Sequence, residues 1–125
     1  MSKKAVLFSV YVIVILLLIL LPINSNESAL NNTYVLHVRA DYLGHVVLFL
    51  PWMFLKPIKT VKINSFQWFI IGLIFASFTE CIQYVVPYRA FNVNDMLANS
   101  MGVIFSAVFI YFIIRNQKIE STFNK

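Results

Sequence analysis

The chain has 125 residues, of which 60% are apolar, 16% aromatic and only 12% charged, against roughly a quarter charged in ordinary soluble domains. A single domain of this length cannot hide so much Phe, Ile, Leu and Val from water, so a typical cytosolic globule is excluded and a lipid solvent is implied. Ten Lys and Arg against five Asp and Glu give a net charge of +5, but the basic residues sit in short clusters between apolar runs, which reads as membrane flanks and not as a nucleic-acid surface.

A bilayer core of about 30 Å needs roughly 20 apolar residues in a helix, and it tolerates no unpaired backbone. The apolar runs are therefore predicted helices. The first, Ala5 to Leu21, follows Lys3 and Lys4 and stops at Pro22. A signal peptide would share that basic start, but the run exceeds the ~7–15 residues of a signal core and no small-x-small cleavage site follows closely. It is read as an uncleaved helix over residues 5–22. The second run, Tyr42 to Leu55, carries Gly44, His45 and Pro51 and spans only about 21 Å. It is expected to begin upstream, as a helix over residues 38–55. The alternation from Tyr34 to Arg39 suits either an extended segment or the first turn of that helix.

The third run, Gln67 to Val86, opens with Trp68 as an interfacial aromatic and stops before Pro87. It predicts a helix over residues 67–86. The fourth, Met96 to Ile114, predicts a helix over residues 95–114 that closes on Arg115 and Lys118. The expected fold class is all-α, an integral membrane bundle of four transmembrane helices forming one domain over residues 1–125.

Retained positive charge marks the cytoplasmic side of a membrane protein. With four crossings, one side holds Lys3, Lys4, Lys56, Lys59, Lys62, Arg115, Lys118 and Lys125, and the other holds only Arg39 and Arg89. This bias places both termini and the 56–65 loop in the cytoplasm, with segments 23–41 and 87–94 outside. The remaining polar residues then converge on the external leaflet: Asp41 and His45 at the start of the second helix, Glu80 and Gln83 at the end of the third, and Asp95 and Asn99 at the start of the fourth. Their spacings of three or four residues put each pair on one helix face. Ionisable groups in membrane segments are costly and face the bundle interior or a wet cavity, so an external polar pocket is expected, with Arg89 as the cation above its acids.

Each member also has a plainer role. Asp41 and Asp95 suit the positive end of a helix dipole. His45 is either a packing hydrogen-bond partner of Glu80 or Asp41, or a candidate general base or metal ligand. Glu80 lies roughly two turns inside its helix, where a lone carboxylate tends to take up a proton unless partnered. Gly102 and Ser106, following Asn99 on one face, read as a small-residue surface for close helix packing. Cys81 alone cannot make an internal disulfide or a thiolate metal site. Neither a nucleophilic triad, a phosphate-cradling glycine loop nor a zinc motif occurs, and neither metal nor cofactor is expected.

The order Asp41-x-x-x-His45, Glu80-x-x-Gln83, Arg89 and Asp95-x-x-x-Asn99-x-x-Gly102, set on short membrane helices, resembles the VanZ-like family. The resemblance covers the second through the fourth helix. Members often carry Lys directly after the first aspartate and an aromatic after the histidine, where this chain has Tyr42 and Val46. The resemblance implies a multi-pass protein of the bacterial cytoplasmic membrane, in a cell-envelope family associated with low-level resistance to the glycopeptide teicoplanin. Two functions fit the polar residues. One is a non-catalytic pocket that takes a lipid head group or a lipid-linked cell-wall precursor; the other is an outer-leaflet enzyme with His45 or Glu80 as general base and Arg89 holding a phosphate or carboxylate. A small carrier fits less well, because no inverted repeat is evident. Oligomeric state is not legible.

Overall fold

The computed structural model describes residues 2–20, 34–35, 38–56, 62–87 and 91–123. Its helices are α1 (Lys3–Leu20), α2 (Ala40–Phe49), α3 (Ser65–Val85) and α4 (Val93–Phe123). Two short strands, β1 (Tyr34–Val35) and β2 (Val38–Arg39), pair antiparallel just before α2, with Tyr34 opposite Arg39.

Local polar chemistry sets the helix ends. Ser2 Oγ accepts from the Ala5 N–H at the start of α1. A capping box opens α3: Asn64 Oδ1 accepts from the Gln67 N–H at 2.8 Å, and Gln67 Oε1 accepts from the Asn64 N–H at 3.0 Å. This reciprocal pair satisfies two backbone donors that the first turn would leave open, so α3 starts two residues earlier than the apolar run. It ends at Val85, shortly before Pro87.

The second helix departs most from expectation. Val38 and Arg39 are extended, α2 begins only at Ala40, and residues 50–55 form turns instead of helix. Pro51 is the cause, since it has no N–H for the helical ladder and disfavours helix in the residue before it. α4 differs in the opposite sense and continues to Phe123, because no Gly or Pro follows Gly102 to stop it.

Neighbouring elements alternate in direction. Phe8 and Tyr11 of α1 meet Trp52 and Leu48 at the far end of α2, so these two oppose each other. Trp52 stacks on Trp68 and Phe49 meets Phe75, so α2 also opposes α3. α4 runs parallel to α2: His45 reaches Asn99, and Met53 reaches Ser106. All the polar pairs named above therefore fall at one end of the bundle, and Lys3, Lys4, Lys56, Lys62, Arg115 and Lys118 lie at or towards the other.

The core joins Ile15, Phe49, Trp52, Met53, Trp68, Ala76 and Val103. Its centre is the Trp52–Trp68 stack, with ring centroids 5.0 Å apart. Each indole N–H donates to the other residue's carbonyl, at 3.0 and 3.1 Å, so neither leaves its donor unmet in an apolar surround. Gly72 makes room for it, because a Cβ there would strike the Trp52 ring.

The exterior is apolar over long tracts. Leu7, Ile13 and Leu17 of α1, Phe66, Ile74 and Phe78 of α3, and Leu97, Phe109, Tyr111 and Ile114 of α4 are all exposed. Thr79, Glu80, Gln83, Asn99 and Ser106 are buried instead. Polar inside and apolar outside inverts the pattern of a water-soluble domain and suits a bundle surrounded by hydrocarbon. Two stretches, Ser65–Val85 and Val93–Lys118, are long and apolar enough to cross a membrane.

Candidate functional site

Three elements build the polar end. The junction of β2 and α2 supplies Arg39, Asp41 and Tyr42. The Arg39 guanidinium grips the Asp41 carboxylate through two donors, Nε to Oδ1 at 3.1 Å and Nη2 to Oδ2. Its remaining terminal nitrogen, Nη1, donates to the Tyr42 hydroxyl at 3.1 Å. Hydrogen bonding to Asp41 pushes the Arg39 guanidinium above its ordinary value, so it stays charged at any working pH. The fork fits a carboxylate and fixes the entry into α2, with Asp41 in the first turn near the positive end of the helix dipole.

One turn further, His45 bridges to α4. Its Nδ1 lies 2.9 Å from Asn99 Oδ1, and its Nε2 faces Asp95 Oδ2 at 3.8 Å. Both ring nitrogens are thus directed at α4, not at Glu80 or Asp41 as sequence spacing suggested. Asn99 is fully enclosed, whereas the His45 and Asp95 side chains keep 24% and 15% of their surface open.

Glu80, 0% exposed, accepts from the backbone N–H of Asn92 through Oε1 at 3.0 Å. Asn92 in turn starts α4: its carbonyl accepts from the Asp95 and Met96 N–H groups, and its Oδ1 accepts from the Asn94 N–H. The buried carboxylate therefore holds the α3–α4 connection at the point where α4 begins. Gln83 is buried one turn beyond Glu80. Arg89, the expected cation over the acids, lies outside the described residues. Cys81 is on the outer surface of α3, not within the bundle.

Below the polar cluster α4 presses closely on α2. A Cβ at Gly102 would overlap the Val46 carbonyl oxygen and approach the Phe49 Cβ to 2.8 Å. Ser106 Oγ accepts from the Met53 N–H at 3.0 Å, which supplies a partner to backbone released by the break at Pro51. Side-chain hydroxyls of neighbouring helices do this where water is absent.

Sequence reasoning missed Arg39, Tyr42, Asn92 and Asn94 as members of the cluster. Asn92 had a readable signal, an Asn three residues before an acid at a helix start. Arg39 had a weaker one, a base two residues before Asp41. Among the described residues no group of three or more His, Cys, Asp and Glu is placed to hold a metal ion.

The model of the VanZ/LLP1 family matches residues 8–115. The chain belongs to the VanZ/LLP1 family. No curated protein and no solved structure gives a significant match. The matched span includes the α2 pair Asp41 and His45, the α3 pair Glu80 and Gln83, and the α4 series Asp95, Asn99 and Gly102, so every described member of the polar cluster lies within the VanZ/LLP1 region. Where relatives of this type often place Lys after the first aspartate, this VanZ/LLP1 chain has Tyr42, and the base that pairs with Asp41 comes from Arg39 instead. Family membership and two membrane-length apolar helices together point to a membrane protein.

Proposed function

We propose that this VanZ/LLP1 protein crosses the bacterial cytoplasmic membrane four times as one domain, with its basic end and both termini in the cytoplasm. Its polar end then lies at the outer leaflet, where it binds the head group of a membrane lipid or lipid-linked envelope precursor and so contributes to teicoplanin tolerance. One observation carries the reading: polar side chains from three helices, buried on α3 and α4 and half-buried on α2, gather at one end of an otherwise apolar bundle. Membrane proteins bear the cost of such groups where a ligand path or site uses them. The charge distribution along the chain supports the orientation.

An outer-leaflet enzyme is the second reading, favoured by the His45 ring, whose Nδ1 contact leaves Nε2 directed at a carboxylate. Glu80 suits the role of base less well, since its Oε1 already accepts the Asn92 N–H. The test is teicoplanin susceptibility of a Gram-positive host expressing wild type, His45→Ala or Glu80→Gln at matched membrane abundance. Raised tolerance with wild type and its loss with His45→Ala is the expected result. Equal tolerance from all three proteins would assign these residues to scaffold and defeat the head-group reading. Altered lipid or precursor species that disappear with His45→Ala would instead favour the enzyme.

A further inference from the structure

We infer that His45 works as a proton-operated clasp at the polar end of the α2–α4 joint, closed when its ring is charged and loosened when it is neutral. The joint is graded along its length. Towards the basic end Ser106 Oγ takes the Met53 N–H at 3.0 Å, Gly102 lies against the Val46 carbonyl, and His45 Nδ1 lies 2.9 Å from Asn99 Oδ1. At the polar end the contacts lengthen: His45 Nε2 is 3.8 Å from Asp95 Oδ2, and the Asn94 amide is 3.4 Å from the Tyr42 hydroxyl. The change from tight to loose falls within one imidazole. An amide oxygen only accepts, so the Asn99 contact puts the ring proton on Nδ1 and leaves Nε2 a lone pair in the neutral ring. A lone pair facing a carboxylate draws the helices together in no way. One further proton, on Nε2, turns the same contact into a charge-assisted hydrogen bond, which is shorter and stronger than a neutral one.

Among the described residues, Asp95 is the charge that decides. From α4 it is the ionisable group that the ring faces. On α2, Asp41 lies one turn back and is held by Arg39 of β2 through Nε and Nη2, so that pair is neutral as a unit, and Tyr42 accepts from Arg39 Nη1. From α3 the ionisable group at this end is Glu80, whose Oε1 is taken by the Asn92 N–H. The His45 and Asp95 side chains keep 24% and 15% of their surface open, which lets a proton reach the ring from the end of the bundle. Histidines exchange that proton between about pH 5 and 8. The clasped state binds one proton more than the loosened state, so by linkage the clasp holds on the acid side of this interval and is lost as pH rises through it. The device belongs to the bundle itself and does not depend on the head-group reading.

The experiment uses the purified full-length protein in detergent, with His37→Gln as background so that His45 is its one histidine. Nitrogen-15 NMR of the imidazole reads the protonation of each ring nitrogen. Hydrogen exchange of the α2 amides at residues 43–46, corrected for the intrinsic effect of pH, reads the joint. The expected result is a doubly protonated ring at about pH 5.5, an Nδ1–H tautomer at about pH 8, and α2 exchange about tenfold faster at the higher pH, the scale of one charge-assisted hydrogen bond. Asp95→Asn keeps the size of the side chain but not its charge, and should abolish the pH dependence of exchange without changing the near-ultraviolet circular dichroism of the Trp52–Trp68 stack. If Asp95→Asn disturbs that spectrum, His45→Gln, which has no titrating ring, should abolish the same dependence. An Nε2–H tautomer at the higher pH would overturn the inference, because the neutral ring would then already donate to Asp95, with the Asn99 amide turned round to donate to Nδ1. Exchange that is indifferent to pH, or that responds to pH equally in the background protein and in both variants, would overturn it as well. Neither readout involves lipid or teicoplanin, so loss of the clasp leaves the head-group reading standing, and loss of that reading leaves the clasp.

Discussion

Two residues show how differently an isolated sequence position reads once its neighbours are known. Glu80 stands out in the chain as a carboxyl group deep in an apolar run, and its burial is as expected; its contact with the Asn92 N–H joins positions twelve apart across a turn, which helix periodicity does not register. Glu80→Gln keeps an acceptor at that position and should fold normally. Glu80→Leu removes it, leaves a backbone donor unmet at the start of α4, and should cost about 1–3 kcal/mol. Unfolding in detergent, followed by circular dichroism, measures both; equal destabilisation by Gln and Leu would show that the charge, and not the acceptor, matters. Gly102 was legible as a packing residue, but its opposite partner was not. With the Val46 carbonyl directly above it, Gly102→Leu forces α2 and α4 apart and should destabilise by about 1–3 kcal/mol or more, as overpacking does.

At the scale of elements, α3 was legible almost in full because its signals are local: a capping pair at Asn64 and Gln67, an apolar run and Pro87. The length of α2 was not, because it depends on another helix. Treating Tyr42 to Leu55 as one helix assumes that backbone released at Pro51 would find no partner in the membrane; Ser106, more than fifty residues away, provides one to Met53. The break and the serine therefore form a unit. Ser106→Ala should leave the Met53 N–H unsatisfied and lower stability by about 1 kcal/mol, whereas Ser106→Thr retains the hydroxyl and the bond if the extra methyl is accommodated. A full-size loss with Thr and none with Ala would mean that volume at this position outweighs the hydrogen bond.

Across the whole molecule, direction and charge reinforce each other. The alternating directions of α1, α2, α3 and α4 bring Lys3, Lys4, Lys56 and Lys62 to one end together with the Arg115 and Lys118 turn of α4, while Arg39 at the opposite end is neutralised by Asp41. Sequence alone exposed this asymmetry because it needs only the order of apolar runs and the positions of Lys and Arg. It could not expose the pairing inside the polar end, where Tyr42 meets Asn94 and His45 meets Asn99, since those contacts require the register between helices. An oriented bilayer makes a specific demand on this arrangement. With Cys81→Ser as background, a cysteine at Asn94, exposed beside the polar cluster, should react in intact cells with a membrane-impermeant maleimide. One at Lys62, exposed ahead of α3, should react only after the membrane is opened. Labelling of Lys62→Cys alone in intact cells would place the basic end outside and remove the polar cluster from the outer leaflet. The head-group reading would then have to be met by cytoplasmic-leaflet lipid, and a direct effect on an extracellular glycopeptide would be lost with it.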